Sequence, residues 1–189
     1  MLHHVQVLDT QFFLWLNAQH TPAADWLMYW ATQRNTWIPL YLVLVAGIVW
    51  KYPKQAAGIV AALILTTVLA DQATASLLKP LVQRLRPCHV AYLQNKIHLV
   101  VENCGGQYGF ASSHAANSFG LATALWLFFG KKHRWIAGFF AWAFLVAYSR
   151  IYVGVHYPLD ILAGALVGAG AAYLAVWTHK KCLNFLISR

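Results

Sequence analysis

Apolar residues occur along this chain in five long runs, and short polar segments separate one run from the next. The runs cover about residues 37–50, 55–78, 113–130, 135–148 and 158–178. A helix that crosses a bilayer needs about 20 predominantly apolar residues, and the first and fourth runs need flanking residues to reach that length. We therefore predict an all-α integral membrane bundle with five core transmembrane helices.

Residues 1–35 carry a different pattern, in which apolar positions at helical spacing alternate with polar ones. Thr21 and Pro22 interrupt this pattern, and their residue types suit the N-cap and the first position of a new helix. We predict two short helices that lie in the membrane interface; joined end to end, they would instead form a sixth span. A membrane domain then follows at residues 36–182, and a cytoplasmic tail at residues 183–189.

The composition agrees with a membrane protein, because 60% of the residues are hydrophobic and only 10% are charged, unlike ordinary soluble domains. Nine Trp and nine Tyr supply rings of the kind that anchor at bilayer interfaces. The formal net charge is +9, but the basic residues form short clusters rather than one stripe, which argues against nucleic-acid binding. The bilayer is the expected partner, and the sequence leaves the oligomeric state open.

Basic clusters alternate with the apolar runs and so orient the chain. Three of them, at residues 51–54, 131–134 and 179–181, fall on one side if all five runs span. Cytoplasmic loops carry an excess of Lys and Arg, so we predict that this side is cytoplasmic. The loop at residues 79–112 and the turn at 149–158 then face the other side, which we expect to be the periplasmic or extracellular face of a bacterial inner membrane.

Three short motifs lie on that second side, each at the end of an apolar run. They are Lys79 with Arg86 and Pro87, the run Ala111-Ser112-Ser113-His114, and Ser149-Arg150 followed by His156 and Asp160. Guanidinium groups match phosphate oxygens in pairs, while a helix that begins at Ser112 or Ser113 offers free N–H groups to an anion. A spacing of four places His156 and Asp160 on one helical face. There the carboxylate fixes the tautomer that leaves Nε2 free as a nucleophile.

Each motif by itself also fits a structural role. A basic cluster beside a membrane helix commonly binds lipid headgroups, a polar helix start needs no ligand, and a His–Asp pair can be a simple ion pair. All three motifs on one membrane face instead predict a site for phosphoryl chemistry. We expect no metal and no other cofactor, because the chain has only five acidic residues and a two-metal site needs clustered carboxylates.

Several residues near these motifs carry weaker signals. Cys88 and Cys104 flank one polar loop, so they either pair in an oxidising compartment or stay as two thiols.

Asp71 lies about 12 Å deeper along its helix than Lys79, at 1.5 Å per residue. It either has a functional role or makes a polar contact between helices, and we leave it out of the catalytic set. Solvated surface or loop positions are expected for Arg84, His89, His98 and Glu102. For Arg84 the alternative is a contact with a second phosphate or a headgroup.

Taken together, the three motifs resemble the signature of the type 2 phosphatidic acid phosphatase family, which reads K-x6-R-P, P-S-G-H and S-R-x5-H-x3-D. The first and third parts are matched in full. The second part departs at two positions: Ala111 stands in place of Pro, and Ser113 stands in place of Gly but keeps the backbone N–H expected to contact phosphate. The resemblance covers roughly residues 55–178.

The resemblance implies a metal-independent membrane lipid phosphatase that hydrolyses a terminal phosphate of a lipid phosphomonoester or pyrophosphate. It implies that His156 attacks phosphorus and forms a phosphohistidine, and that Asp160 orients His156. His114 would protonate the leaving oxygen and later activate water. The resemblance further implies that the substrate phosphate is bound by Lys79, Arg86, Ser112, Ser113 and Arg150.

Undecaprenyl pyrophosphate is the substrate that the resemblance favours, while phosphatidylglycerophosphate, phosphatidic acid and lipid A 1-phosphate stay open. Two other functions stay open as well. A lipid phosphotransferase would use the same phosphohistidine and pass the phosphoryl group to an acceptor hydroxyl. A non-enzymatic lipid-binding membrane protein would need no paired His156 and Asp160.

Overall fold

Helices make up nearly all the regular structure in the computed structural model, which describes the backbone of residues 2–187 and the side chains of residues 4–185. In chain order they are α1 (Leu2–Asn17), α2 (Pro22–Thr32), α3 (Ile38–Lys51), α4 (Ala56–Asp71), α5 (Lys79–Val82), α6 (Ser113–Leu125), α7 (Gly138–Tyr152) and α8 (Pro158–Ile187). Two π-helical stretches, Gln72–Leu78 and Trp126–Gly130, extend α4 and α6. The all-α prediction is confirmed: within the described part of the chain, extended pairing is limited to an isolated bridge between Leu85 and Tyr108.

All five apolar runs of the sequence fold as helices, and they form a membrane bundle as predicted. By length and composition, three helical segments can cross a bilayer: Ala56–Val82, Arg134–Tyr152 and Pro158–Phe185. The first of them joins α4, its π-helical stretch and α5. α3 and α6 are shorter, with 14 and 13 residues, and they pack among the three long segments.

The centre of the bundle is the contact between α6 and α8, and α6 also packs against α4 and α7. Two glycines of α8 make this approach close. A Cβ on Gly164 would overlap the Ser112 carbonyl oxygen, and one on Gly168 would overlap that of Ala116. Small residues allow such close approach between membrane helices. The first turn of α8 is thereby held against the first turn of α6.

The N-terminal region forms two separate helices, α1 and α2, as the sequence predicts. The Thr21 hydroxyl accepts a hydrogen bond from the Ala24 N–H at 3.2 Å, and Pro22 occupies the first turn of α2. α1 is tied to the bundle, because Phe13 is completely buried and the Asn17 amide donates to the Tyr152 carbonyl at 2.7 Å. Residue Met1 and the last two residues of the predicted tail 183–189 lie outside the described residues, and α8 continues through position 182 without a break.

The two ends of the bundle differ in character. At one end the predicted cytoplasmic loops meet: the Lys51 ammonium lies 3.2 Å from Nε2 of His133, and the Tyr52 hydroxyl lies 3.3 Å from the same atom. At the other end the loop that follows α5 folds over the bundle. A disulfide between Cys88 and Cys104, a pairing that the sequence left open, closes that loop.

Candidate functional site

The first turn of α6 forms one wall of the candidate site. Ser112 is its N-cap, and the buried Ser112 hydroxyl accepts a hydrogen bond from the Ala115 N–H at 3.5 Å. The Ser112 N–H donates to the Asp160 carbonyl at 3.0 Å, which joins this turn to α8. The predicted N-cap is therefore confirmed, and it places Ser113 and His114 at a helix start, where free N–H groups favour an anion.

His156 and Asp160 form a buried pair opposite this turn. Their side chains are joined by Nδ1 and Oδ2 at 3.3 Å, and His156 is only 1% exposed. The expectation that they share a helical face is wrong, because α8 begins at Pro158 and His156 lies in the turn before it. Asp160 instead reaches back from the first turn, where its Oδ2 also accepts the Tyr157 N–H at 3.0 Å.

Arg86 fixes the protonation pattern of His156. Its Nη1 lies 3.0 Å from Nε2 of His156, and a guanidinium has no acceptor, so Nε2 must be the unprotonated acceptor. The ring proton then sits on Nδ1 and donates to Asp160. Arg86 itself is held by a hydrogen bond from Nε to the Gly106 carbonyl at 2.6 Å. The pKa of His156 is lowered well below its usual value, first by burial and then by the charge of Arg86. The imidazole is therefore neutral, with its Nε2 lone pair directed at the basic residues.

Lys79 reaches the site through Ser113. The Lys79 ammonium donates to the Ser113 hydroxyl at 2.9 Å, and the Thr74 hydroxyl lies 2.8 Å from the same oxygen. Thr74 belongs to the π-helical stretch that precedes α5, and such stretches are frequent at functional sites. The hydroxyl of Ser113, which stands where the family signature has Gly, therefore links the Lys79 ammonium to the π-helical stretch that extends α4.

Arg150 completes the set of predicted residues. Its Nη1 donates to the Thr32 hydroxyl, and its Nε is buried without a hydrogen-bond partner among the described residues. The His156 N–H donates to the Arg150 carbonyl at 3.2 Å. His114 and Arg150 both line a cavity of about 660 Å³ beneath the loop at residues 100–103, which we call the loop cavity. The structure thus brings all eight predicted site residues to one end of the bundle.

Arg84 is a site residue that the sequence analysis placed wrongly on the solvated surface. Its guanidinium lies between Asp9 at 2.6 Å and Asp160 at 3.0 Å, and its side chain is 16% exposed. It also stacks on the Tyr157 ring at 3.9 Å. The expectation failed because α1 folds over the loop and covers it. The sequence signal was weak: Asp9 is one acidic residue on a largely apolar helix.

Asp9 connects α1 with the start of α8. Its Oδ1 accepts the Leu159 N–H at 3.0 Å, while Oδ2 takes the ion pair with Arg84. Burial raises the pKa of Asp9, and the hydrogen bonds from Arg84 and Leu159 oppose that rise. The helix that the sequence analysis treated as interfacial therefore contacts the start of α8 and, through Arg84, the Asp160 carboxylate that pairs with His156.

His98 also departs from the expected solvated position. Its Nε2 lies 2.9 Å from Oδ1 of Asp25, and its ring stacks on His20 with centroids 3.8 Å apart. The Tyr152 hydroxyl donates to the same Asp25 oxygen at 2.6 Å, and this hydrogen bond is the main cause that lowers the pKa of Asp25. The contacts tie the loop to α2. The other two loop residues expected in solvent, His89 and Glu102, are exposed.

A second cavity, of about 640 Å³, continues from the site into the bundle between α3, α4 and α6. We call it the groove. It meets the loop cavity at four shared lining residues, Thr32, Gln33, Arg34 and His114. Arg34, which the sequence analysis did not single out, is therefore a further cation at the junction of the two cavities.

Comparison with known proteins gives four findings. The family model described as the PAP2 superfamily matches residues 59–183. A lipid A 4′-phosphatase from Bacteroides thetaiotaomicron is 39% identical over 187 residues, which cover 96% of this chain and 81% of that protein. An undecaprenyl-diphosphatase from Sulfolobus acidocaldarius is 30% identical over 172 residues, 89% of this chain and 77% of that protein. In fold, the chain resembles the crystal structure of a PAP2-type phosphatidylglycerolphosphate phosphatase from Bacillus subtilis, with a TM-score of 0.73 at 20% identity, covering 94% of this chain and 87% of that one.

Proposed function

This chain belongs to the PAP2 superfamily, and from that premise we propose that it hydrolyses the phosphate monoester at the 4′ position of lipid A. Membership makes the chain a membrane lipid phosphatase of the PAP2 type. The observation that carries the substrate is the similarity to the lipid A 4′-phosphatase along nearly the whole chain. Undecaprenyl pyrophosphate, which the motif resemblance favoured, is the second candidate because of the more distant similarity to an undecaprenyl-diphosphatase.

The first half of the proposed reaction transfers the phosphoryl group to the protein. The lone pair on Nε2 of His156 forms an N–P bond while the ester P–O bond breaks, and the sugar oxygen leaves with that electron pair. His114 gives the leaving oxygen its proton. Asp160 stabilises the positive charge that develops on His156, as a carboxylate does for an attacking imidazole.

The second half returns the protein to its starting state. His114, now neutral, takes a proton from water as the water oxygen attacks phosphorus, and the N–P bond breaks back onto Nε2. Inorganic phosphate then leaves. Charge on the three equatorial oxygens is stabilised throughout by preorganised donors, for which we propose Lys79, Arg86, Arg150, the Ser112 hydroxyl and the Ser113 N–H in the first turn of α6.

We further propose that the site faces the periplasm from the inner membrane of a bacterium. Two observations support this orientation. The disulfide between Cys88 and Cys104 lies next to Arg86 in the sequence, and disulfides persist in oxidising compartments such as the periplasm. The basic loops that contain Lys51 and His133 meet at the opposite end of the bundle, where the positive-inside bias places the cytoplasm.

The proposed function is tested by phosphate release from purified protein in detergent micelles with excess chelator. Lipid A, undecaprenyl pyrophosphate, phosphatidylglycerophosphate and phosphatidic acid are compared at equal mole fraction. We expect the largest kcat/KM for lipid A, with a product that mass spectrometry shows to lack the 4′-phosphate, and no release by His156→Ala. A larger kcat/KM for undecaprenyl pyrophosphate would overturn the lipid A assignment. Loss of lipid A phosphate without stoichiometric free phosphate would instead identify a phosphotransferase.

A further inference from the structure

The groove changes from polar to apolar along its length. Next to His114 it is lined by Asp71, Gln72 and Asn117, which we call the polar band. Asn117 lies one turn below His114 on α6, about 4.5 Å along the axis at 1.5 Å per residue. Deeper positions are mainly apolar, including Leu121 on α6 and the residues Leu44, Val45, Val60, Leu63 and Ile64 on the facing helices. The Thr67 and Ser118 hydroxyls there donate to carbonyls of their own helices.

Asn117 has an unused hydrogen-bond acceptor in this band. Its Oδ1 is buried, and no donor reaches it from the described residues. Buried polar atoms are paired in most native structures, so an unpaired one calls for an explanation. The wall that Asn117 occupies also contains Ser113 and His114, so a group bound at the phosphate site lies within reach of it.

Asp71 faces the same space from α4. Among the described acidic residues, Asp9, Asp25 and Asp160 accept hydrogen bonds from side chains. The partly buried carboxylate of Asp71 accepts none from the residues that the structure describes. Gln72 adds a donor: its Oε1 accepts the Ser76 hydroxyl at 2.9 Å, which leaves the Gln72 NH₂ group for another partner. The polar band therefore offers acceptors on two helices and one amide donor.

Such a lining distinguishes between classes of lipid phosphate. A polyprenyl pyrophosphate has only hydrocarbon beyond its phosphates, and hydrocarbon against Asp71 and Asn117 would desolvate their polar atoms without compensation. An acylated amino sugar presents hydroxyl and amide N–H groups next to its phosphate and acyl chains further on. That order of polar and apolar groups matches the order along the groove.

We infer that the polar band of Asp71, Gln72 and Asn117 binds the hydroxyl and N-acyl amide groups of the sugar that carries the scissile phosphate. The inference rests on the proposed function and names the feature of the chain that selects an amino-sugar phosphate. Asn117 and Asp71 accept hydrogen bonds from the sugar, and the Gln72 amide donates to a sugar or acyl oxygen. The acyl chains then occupy the apolar part of the groove.

The first test compares two substrates in each variant. Asn117→Leu keeps the branched shape and the number of heavy atoms and removes the amide acceptor and donor, and Asp71→Asn removes the charge. The matched control is Asn184→Leu, an exposed position near the far end of α8. We expect the ratio of kcat/KM for lipid A to that for undecaprenyl pyrophosphate to fall about 3- to 10-fold in Asn117→Leu and roughly tenfold or more in Asp71→Asn, and to stay unchanged in the control. An unchanged ratio in both band variants would overturn the inference, whether or not both rates fall.

A second measurement uses the wild-type protein and does not depend on lipid A being the natural substrate. N-acetylglucosamine 4-phosphate and butyl phosphate are each tested as competitive inhibitors, with the lipid that the protein hydrolyses fastest as the substrate. We expect the sugar phosphate to have an inhibition constant at least about fivefold lower, and the difference to disappear in Asn117→Leu. Equal inhibition constants in the wild type would refute the sugar-binding band. If the protein does not hydrolyse lipid A but still binds the sugar phosphate more tightly than butyl phosphate, only the proposed substrate would be refuted.

Discussion

At the scale of single residues, the site is organised around the electronic state of one imidazole. Arg86 donates to Nε2 of His156, and Asp160 accepts from Nδ1. This combination leaves Nε2, which we propose as the nucleophile, unprotonated next to a cation. If Nε2 is the nucleophile, a phosphate that approaches it must also contact Arg86, so we expect phosphate binding and alignment of the nucleophile to occur in one step.

The first prediction concerns the ionisation of His156. Burial and the charge of Arg86 lower its pKa well below the usual 6.5, so we expect the imidazole to stay neutral as the pH falls through 6.5. Arg86→Gln removes the nearest cation and should raise the pKa of His156. The measurement is a ¹⁵N-histidine NMR titration of the substrate-free protein, because the phosphate of a substrate itself titrates near pH 6. Protonation of His156 at or above pH 6.5 in the wild type would contradict this interpretation.

A second prediction concerns Ser113, which stands where the family signature has Gly. Its hydroxyl joins Lys79 to Thr74, so Ser113→Ala should raise KM and lower kcat/KM about 3- to 10-fold, the effect of one neutral or charge-assisted hydrogen bond. Thr74→Val should act through the same oxygen. In a double-mutant cycle the two losses should therefore be less than additive. Strict additivity would show that Ser113 and Thr74 act separately.

Sequence reasoning at this scale found the residues that belong to contiguous motifs and missed those that act through tertiary contacts. Lys79, Arg86 and His156 belong to the three motifs that carry the family resemblance. Arg84 and Asp9 become part of the site only because α1 folds over the loop, and neither residue type nor spacing indicates that contact. The Ser113 junction was likewise hidden, because it depends on where the π-helical stretch directs Thr74.

At the scale of elements, α1 acts as a support for the first turn of α8. Asp9 accepts the Leu159 N–H and pairs with Arg84, which in turn holds Asp160. A helix N-terminus has unpaired N–H groups, and here one of them is satisfied by a side chain from a distant helix. A displacement of α1 would therefore shift Arg84 and with it the Asp160 carboxylate.

A third prediction follows for Asp9. Asp9→Asn keeps one acceptor oxygen, which can serve the Leu159 N–H or Arg84 but not both, and should lower the free energy of unfolding by about 1 kcal/mol. Asp9→Leu leaves Arg84 without one partner and the Leu159 N–H unpaired, and should cost about 3 kcal/mol. Thermal unfolding in detergent measures both, and kcat should fall further in the Leu variant. Equal effects of the two substitutions would exclude the support role.

The apolar runs predicted the existence of the helices well but not their local geometry. All five runs became helices because uninterrupted apolar sequence leaves backbone groups no other partner in a bilayer. The two π-helical stretches, Gln72–Leu78 and Trp126–Gly130, were not predicted, since one wider turn hardly alters an apolar pattern. His156 lies outside α8 because the chain turns at Gly154 and the helix begins only at Pro158.

At the scale of the whole molecule, the site is assembled from the ends of four helical segments and one cross-linked loop. The disulfide between Cys88 and Cys104 holds the loop that positions Arg86. Charge distribution along the sequence had already grouped these parts on one membrane face, because loops alternate between two sides. The contacts among the parts required the folded chain.

A fourth prediction concerns this cross-link. Cys88→Ser with Cys104→Ser opens a loop of sequence separation 16, which should lower the free energy of unfolding by about 3 kcal/mol. It should also lower kcat/KM, because Arg86 loses its fixed position. Cys182→Ser, at the exposed free cysteine, is the matched control and should change neither quantity. Identical thermal unfolding of the double variant and the control would contradict a structural role for the disulfide.

The groove has a consequence for how rates must be measured. Three of its lining residues, Val45, Ile64 and Val68, are 37%, 59% and 49% exposed, so the wall of the groove is also the lipid-facing surface of the bundle. A lipid can then arrive by diffusing sideways within its leaflet, without leaving the bilayer. Turnover should accordingly follow the mole fraction of substrate in the membrane. Adding inert lipid at a constant bulk concentration of substrate should therefore lower the turnover rate, because it dilutes the substrate within the membrane surface.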